Sequence, residues 1–288
     1  MARDPRASRL DDDPFAKIDD NQPVGKGTSQ HIRVVIQPGQ VNPFEPFLKG
    51  FFDVGGPKVV KHEGSFFHFS QRELKDLAMA TFAFSFAISI VLEGGIFNML
   101  KMPMEVLLIR LFLSMMLALA ALGPAFILHE LAHKYVARYF GCWAEFRADP
   151  RGLKIGILIA LIIGFVFMAP GAVIVAGRVS RKENGIISVA GPATNITLFF
   201  IGMIGGGLLL SMFYHNVLVE LITFWMFGNA ILGAFNMLPF GPLDGAKVKM
   251  WSEPIFWLFM VITVALVVSV FNGFAFTLVA VIAGLPTL

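Results

Sequence analysis

A single cysteine, Cys142, stands in this chain of 288 residues, which excludes an internal disulfide and any zinc cluster built from cysteines. Cys142 itself reads as a small hydrophobe. Tyrosine is scarce (3) where phenylalanine is abundant (30), which suits side chains that face lipid, because phenylalanine has no hydroxyl in need of a partner. Charge is scarce as well. Asp, Glu, Lys and Arg make up 15% of the residues, the net charge is +3, and no basic stripe is interleaved with aromatics, so nucleic acid is not an expected partner. With 56% of its residues hydrophobic, a soluble globule of this length would have apolar side chains crowding its surface; the composition describes a polytopic membrane protein.

The amino-terminal quarter is different. Residues 1–30 mix Arg, Asp, Lys and Pro without an apolar core and do not read as a signal peptide. Up to about Gly27 the composition is that of a disordered arm. His31–Ile36 reads as a short strand, and Pro38, Gly39, Pro43 and Pro46 interrupt any regular structure beyond it. Phe44, Phe47, Phe51, Phe52, Phe66, Phe67 and Phe69 suggest a segment packed on the membrane surface or on the protein's own helices. Residues 1–75 are therefore read as a mixed cytoplasmic extension, partly disordered and without assigned chemistry. Residues 76–288 are read as the transmembrane domain, with its core at 105–251.

Crossing about 30 Å of hydrocarbon takes about 20 apolar residues. Stretches of that kind run from about Asp76 to Phe97, Glu105 to His133 (continuing as helix to Tyr139), Ile186 to Phe213, Val217 to about Leu238, and Pro254 to Gly284, the last broken at Asn272-Gly273. A further apolar stretch, Leu153 to Ala176, carries Gly156, Gly164, Pro170 and Gly171 and turns strand-like in its second half. As a full span it would put the basic loop holding Arg178, Arg181 and Lys182 opposite the one holding Lys134, Arg138, Arg147, Arg151 and Lys154, which the positive-inside rule disfavours. A re-entrant or β-hairpin element keeps both loops, the amino terminus, and Lys247 with Lys249 on the cytoplasmic side; backbone of that kind at membrane depth must be buried in protein or line a wet cavity. The expected fold is thus all-α and polytopic, with about five to six transmembrane helices, a re-entrant or β-hairpin element, and the mixed extension.

At the end of the second apolar stretch stands His129-Glu130-Leu131-Ala132-His133. Helical spacing puts His129 and His133 on one face, where both can grip one metal ion, and Glu130 beside it, where it could take a proton from an activated water. Ionisable residues at membrane depth are costly and usually functional. A catalytic zinc site needs a third protein ligand. His31, His62 and His68 lie in the extension and His215 in a loop on the opposite side. Asp244, in Asn236-Met237-Leu238-Pro239-Phe240-Gly241-Pro242-Leu243-Asp244-Gly245, comes after a span whose helix the prolines and glycines interrupt. With a re-entrant third stretch, Asp244 and the histidines end on the same side at a common depth; with a full third span it would be stranded across the bilayer.

These residues carry a resemblance. HELAH at 129–133 with NMLPFGPLDG at 236–245, and Ala190-Gly191-Pro192-Ala193-Thr194-Asn195 between them, resemble the site-2 protease family of intramembrane zinc metalloproteases over roughly Leu74 to Trp251. Ala132 stands where glycine is common in that family, and no PDZ insert separates the two motifs. The resemblance implies one zinc ion per chain held by His129, His133 and Asp244, with Glu130 as catalytic base. Asn236 and Asn195 are candidates for binding substrate or supporting the ligands; a helix cap and close helix packing are their structural alternatives. It also implies a multi-pass cell-membrane enzyme that works among lipid and cuts transmembrane protein substrates, often after an upstream protease has trimmed them. A membrane metalloprotease with another third ligand, and a metal-binding pseudoprotease or transporter without turnover, are the competing readings. Glu93 and Arg110 read as lone charges that snorkel to the interface.

Overall fold

The computed structural model describes residues 65–166, 168 and 170–286; the strand expected at His31–Ile36, His31, His62 and the phenylalanines before Phe66 lie outside them. The described chain is an all-α polytopic membrane protein with one small sheet. Its elements in order are α1 (Gln71–Leu92), α2 (Gly95–Met99), α3 (Met104–Tyr139), β1 (Trp143–Ala148), α4 (Pro150–Ile163), β2 (Gly171–Ala176), α5 (Arg181–Met212), α6 (Asn216–Asn236), α7 (Asp244–Trp251), α8 (Glu253–Phe271) and α9 (Phe274–Ala283). Five of them, α1, α3, α5, α6 and α8, are long and apolar enough to cross a membrane. The last apolar stretch is two helices, because Asn272-Gly273 breaks it with Gly273 at φ 79°.

Local signals set the starts. Ser70 caps α1 by accepting from the Glu73 N–H at 3.1 Å, which begins the helix before its apolar stretch does. Ser180 and Glu183 form a reciprocal capping box at the start of α5. Helix α5 is the centre of the bundle and packs against α3, α6, α7 and α9. One buried cluster, including Phe199, Met226, Ala230, Leu266 and Val279, joins α5, α6, α8 and α9.

The element between α3 and α5 is re-entrant. Helix α4 has 14 residues, about 21 Å, too short to span. The chain then returns as β2, which pairs antiparallel with β1 from Trp143↔Ala176 to Ala148↔Gly171. The element therefore ends beside the strand where it began, and the end of α3 and the start of α5 flank the same small sheet. Strand β1 was not foreseen: its charges look like a loop, and it is buried because they are paired. Glu145 pairs with Arg147 at 2.7 Å and accepts from Ser70 at 2.8 Å.

Two expectations about charge need correction. Glu93 and Arg110 do not snorkel separately; Arg110 Nε lies 2.7 Å from Glu93 Oε2, and the Ser114 hydroxyl donates to Oε1 at 2.6 Å. A buried carboxylate at the end of α1 requires a counter-charge and a donor, and α3 supplies both. Lys134, Arg138 and Arg147, expected as loop charges, are buried. Lys134 pairs with Glu73 and donates to the His68 carbonyl at 2.9 Å, while Arg138 donates to the carbonyls of Phe66 and His68 at 2.7 and 2.8 Å. Residues 66–73 are thereby stitched to the end of α3. Phe66 stacks on Tyr135 with centroids 5.4 Å apart, so this end of the extension does pack on the protein's own helix.

Candidate metal centre

Helix α3 places His129 and His133 one turn apart on the face that meets α5. Their rings meet edge to face, 83° between planes. Each ring is aimed by its Nδ1. His133 Nδ1 lies 2.7 Å from the carbonyl oxygen of Ile187, a group that can only accept, so Nδ1 carries the proton and Nε2 keeps a free lone pair. His129 Nδ1 lies 2.6 Å from Asn195 Oδ1, which gives the same assignment. An imidazole whose outer nitrogen donates to an oxygen is the arrangement seen in metal-ligating histidines.

Asp244 arrives from the other end of the sequence. Helix α6 ends at Asn236, the proline- and glycine-broken loop turns back, and α7 starts at Asp244 itself. Gly245 permits the close turn, since a Cβ there would stand 2.0 Å from the Met237 carbonyl oxygen. The carboxylate sits at a helix N-terminus, where negative charge is favoured. Lys247 lies beside it and favours its ionised form. The acid is therefore charged at neutral pH. The second oxygen, Oδ1, is 3.5 Å from Lys247 Nζ.

The three donor atoms form a small triangle. His129 Nε2 and His133 Nε2 are 3.1 Å apart, and Asp244 Oδ2 is 3.4 Å from the first and 3.0 Å from the second. Ligands about 2.0–2.1 Å from a tetrahedral zinc are separated by about 3.3 Å, so the triangle fits that ion. Two imidazole lone pairs and a carboxylate oxygen facing one another are mutually repulsive, and a cation is what satisfies them. The space is also kept clear. A Cβ at Gly191 of α5 would stand 2.5 Å from both Nε2 atoms, so only glycine leaves room there. His129, His133 and Asp244 form the one group among the described residues with the makings of a metal site, and all three are buried.

Glu130, one position along, is half-buried. It lies within electrostatic reach of Asp244 and Lys247, on the side of the Val173 N–H of β2. Strand β2 presents that N–H because of its register. Phe146 opposes Val173, yet the Phe146 N–H donates away from β2, to Glu73 Oε1 at 3.1 Å. This is therefore a non-hydrogen-bonded pair, and by alternation Gly171, Val173 and Val175 direct their backbone groups away from β1. Among the described residues no third strand covers that edge.

The other candidates fall elsewhere. Asn236 donates to the Leu232 carbonyl of its own helix at 3.0 Å and is not drawn into the triangle. His68 is held by its backbone on α3, and His215 caps the far end of α6, accepting from the Val217 N–H at 3.2 Å. Asn195 is wholly buried against His129. Sequence reasoning missed Asn229, also buried, which accepts from Asn195 Nδ2 at 3.0 Å. The available signal was a lone amide in the middle of an apolar span.

Three comparisons bear on this site. The chain is 40% identical over 195 residues to a protein of Methanocaldococcus jannaschii provisionally named zinc metalloprotease MJ0611, covering 67% of this chain and 91% of that protein. It is 31% identical over 140 residues to the provisionally named zinc metalloprotease YwhC of Bacillus subtilis, covering 43% of this chain and 63% of the relative. It is 30% identical over 125 residues to zinc metalloprotease MJ0392 of Methanocaldococcus jannaschii, of which it covers 30%. No family model matches the chain. No solved structure matches it either.

Proposed function

The chain belongs to the zinc metalloprotease family of these relatives and is a membrane metalloprotease, and on that premise we propose that it is an intramembrane endopeptidase of the site-2 protease type, hydrolysing peptide bonds of transmembrane protein substrates. The observation that carries this reading is the buried triangle of His129, His133 and Asp244 donor atoms inside a bundle of span-length helices. A metalloprotease of aqueous substrates has no need to enclose its ligands among such helices.

In this reading His129 and His133 through Nε2 and Asp244 through Oδ2 hold one zinc ion per chain. When bound, zinc supplies Lewis acidity, lowering the pKa of water toward neutrality and polarising a carbonyl. Glu130 accepts the proton released as water attacks the scissile carbon and returns it to the departing amine. Lys247 keeps Asp244 Oδ1 occupied and leaves Oδ2 for the ion. A helical substrate hides its carbonyls in its own hydrogen bonds, so it must unwind first. The outward edge of β2 offers backbone partners to the unwound segment by strand addition, beside Glu130. Asn236 keeps an acceptor oxygen near the α6–α7 turn for the substrate backbone, while Asn195 serves by orienting His129.

Exposed Arg151, Lys154, Arg178, Arg181 and Lys182 cluster around the sheet and favour a cytoplasmic placement of this end, with the active site toward the same side. Regulated proteolysis downstream of another protease is the role that fits such a placement.

The test is Glu130→Gln assayed on a model transmembrane peptide in detergent or vesicles. The variant should bind zinc like the wild type and lose cleavage by about 100-fold or more, the lower part of the general-base range. Wild-type protein that carries zinc and leaves every transmembrane peptide intact would favour a binding protein over an enzyme.

A further inference from the structure

The His129 bond to Asn195 is the first link of a longer buried chain. Asn195 Nδ2 donates to Asn229 Oδ1 at 3.0 Å, and Asn229 Nδ2 donates to the Trp225 carbonyl at 2.9 Å. The links cross three helices, from α3 through α5 to α6. The sense of each is fixed from its far end. The Trp225 carbonyl can only accept, so Asn229 must turn its NH₂ toward it and its oxygen toward Asn195. Asn195 must then present its NH₂ to Asn229 and its own oxygen to His129. The same NH₂ also lies 3.4 Å from the Ala125 carbonyl, a second acceptor. His129 must therefore carry its proton on Nδ1, which leaves Nε2 bare and facing Asp244 Oδ2.

We propose that Asn229 is a positioning residue for the metal centre: through the amide of Asn195 it selects the tautomer of His129 whose Nε2 can ligate. The inference rests on the metal-ligand reading of His129 and extends it to a residue that touches neither ion nor ligand. An apolar side chain at 229 removes the stronger acceptor for Asn195 Nδ2. The amide can then reverse, present its NH₂ to His129, and drive the imidazole proton onto Nε2, where it blocks coordination. Helix packing does not require this arrangement. Trp225 Nε1 already ties α6 to α5 through the Leu198 carbonyl at 2.7 Å. Asn229 is 1% exposed, so water does not readily replace the lost acceptor.

The experiment measures zinc affinity by chelator competition on purified wild type, Asn229→Leu, Asn229→Ala and Asn229→Asp, with the thermal midpoint of each metal-free protein beside it. Neutral Asp keeps both roles, its hydroxyl donating to Trp225 and its carbonyl oxygen accepting from Asn195. Leu and Ala should weaken zinc by about 10–100-fold, the cost usual for losing an outer partner of a ligating histidine, with Asp close to wild type. Ala removes atoms without adding bulk, so it stands in if Leu does not fold. Overturning results are affinities of Leu and Ala within twofold of wild type, or an Asp variant as weak as Ala. A fall in metal-free stability with unchanged zinc affinity would reduce Asn229 to a packing residue and also overturn the proposal. Because affinity is read without substrate, a protein that binds zinc but cleaves nothing would sink the protease reading while leaving this result intact.

Discussion

His133 Nε2 lies 3.0 Å from Asp244 Oδ2, although the two residues come from helices far apart in the chain. The pocket between them and His129 holds acceptors facing acceptors, and a cation turns that repulsion into attraction. Zinc should therefore raise the thermal midpoint of the detergent-solubilised protein in a concentration-dependent way. Each tenfold excess over the dissociation constant adds about 1.4 kcal/mol. Magnesium, which prefers oxygen ligands, should have little effect at equal concentration. Thermal scans that do not move with zinc would speak against the site.

Strand β2 gives a sharper test of substrate docking, because its two sets of backbone groups have different jobs. Val175 points its N–H away from β1, whereas Ile174, opposite Glu145, lies in a hydrogen-bonded pair of the ladder. Val175→Pro should leave the sheet in place and lower cleavage by about 3–10-fold, the worth of one backbone hydrogen bond. Ile174→Pro should instead destabilise the protein as a whole. Peptide turnover and unfolding temperature separate the two; undiminished turnover by Val175→Pro would remove the strand-addition step.

The buried Glu73–Lys134 pair ties α1 and the segment before it to the helix that carries both histidines. Glu73→Gln leaves an uncompensated ammonium in the core, which costs about 3–5 kcal/mol. The double replacement Glu73→Met with Lys134→Met should recover much of the loss. Chemical unfolding of both variants checks this, and a single variant as stable as wild type would show that the pair is dispensable.

Much of this was legible in the sequence because it rests on local periodicity. The four-residue spacing of His129 and His133 needs only helix geometry, and the break at Asn272-Gly273 needs only a glycine where an apolar helix stops. The re-entrant course of 153–176 came from charge placement, and the antiparallel pairing of β1 with β2 is its physical form. Less of the positive charge on that side is exposed than the sequence positions imply, since Lys134, Arg138 and Arg147 are buried and hydrogen-bonded within the protein. What stayed hidden depends on partners distant in the chain. Strand β1 reads as a polar loop until Ser70 and Glu73 are seen to satisfy it. Glu93 and Arg110 look solitary until α1 and α3 are packed together. Asn229 is one amide among many apolar residues until α3, α5 and α6 are assembled around it.

Zinc per chain, measured on purified wild type and on Asp244→Asn side by side, tests the central claim most directly. The expected result is about one zinc per wild-type chain, as a three-ligand catalytic site holds. The variant should be nearly empty, its loss exceeding the roughly 10–100-fold weakening caused by removal of an outer partner. Equal zinc in the two proteins, or a wild-type chain that takes up none when zinc is supplied, would contradict the account.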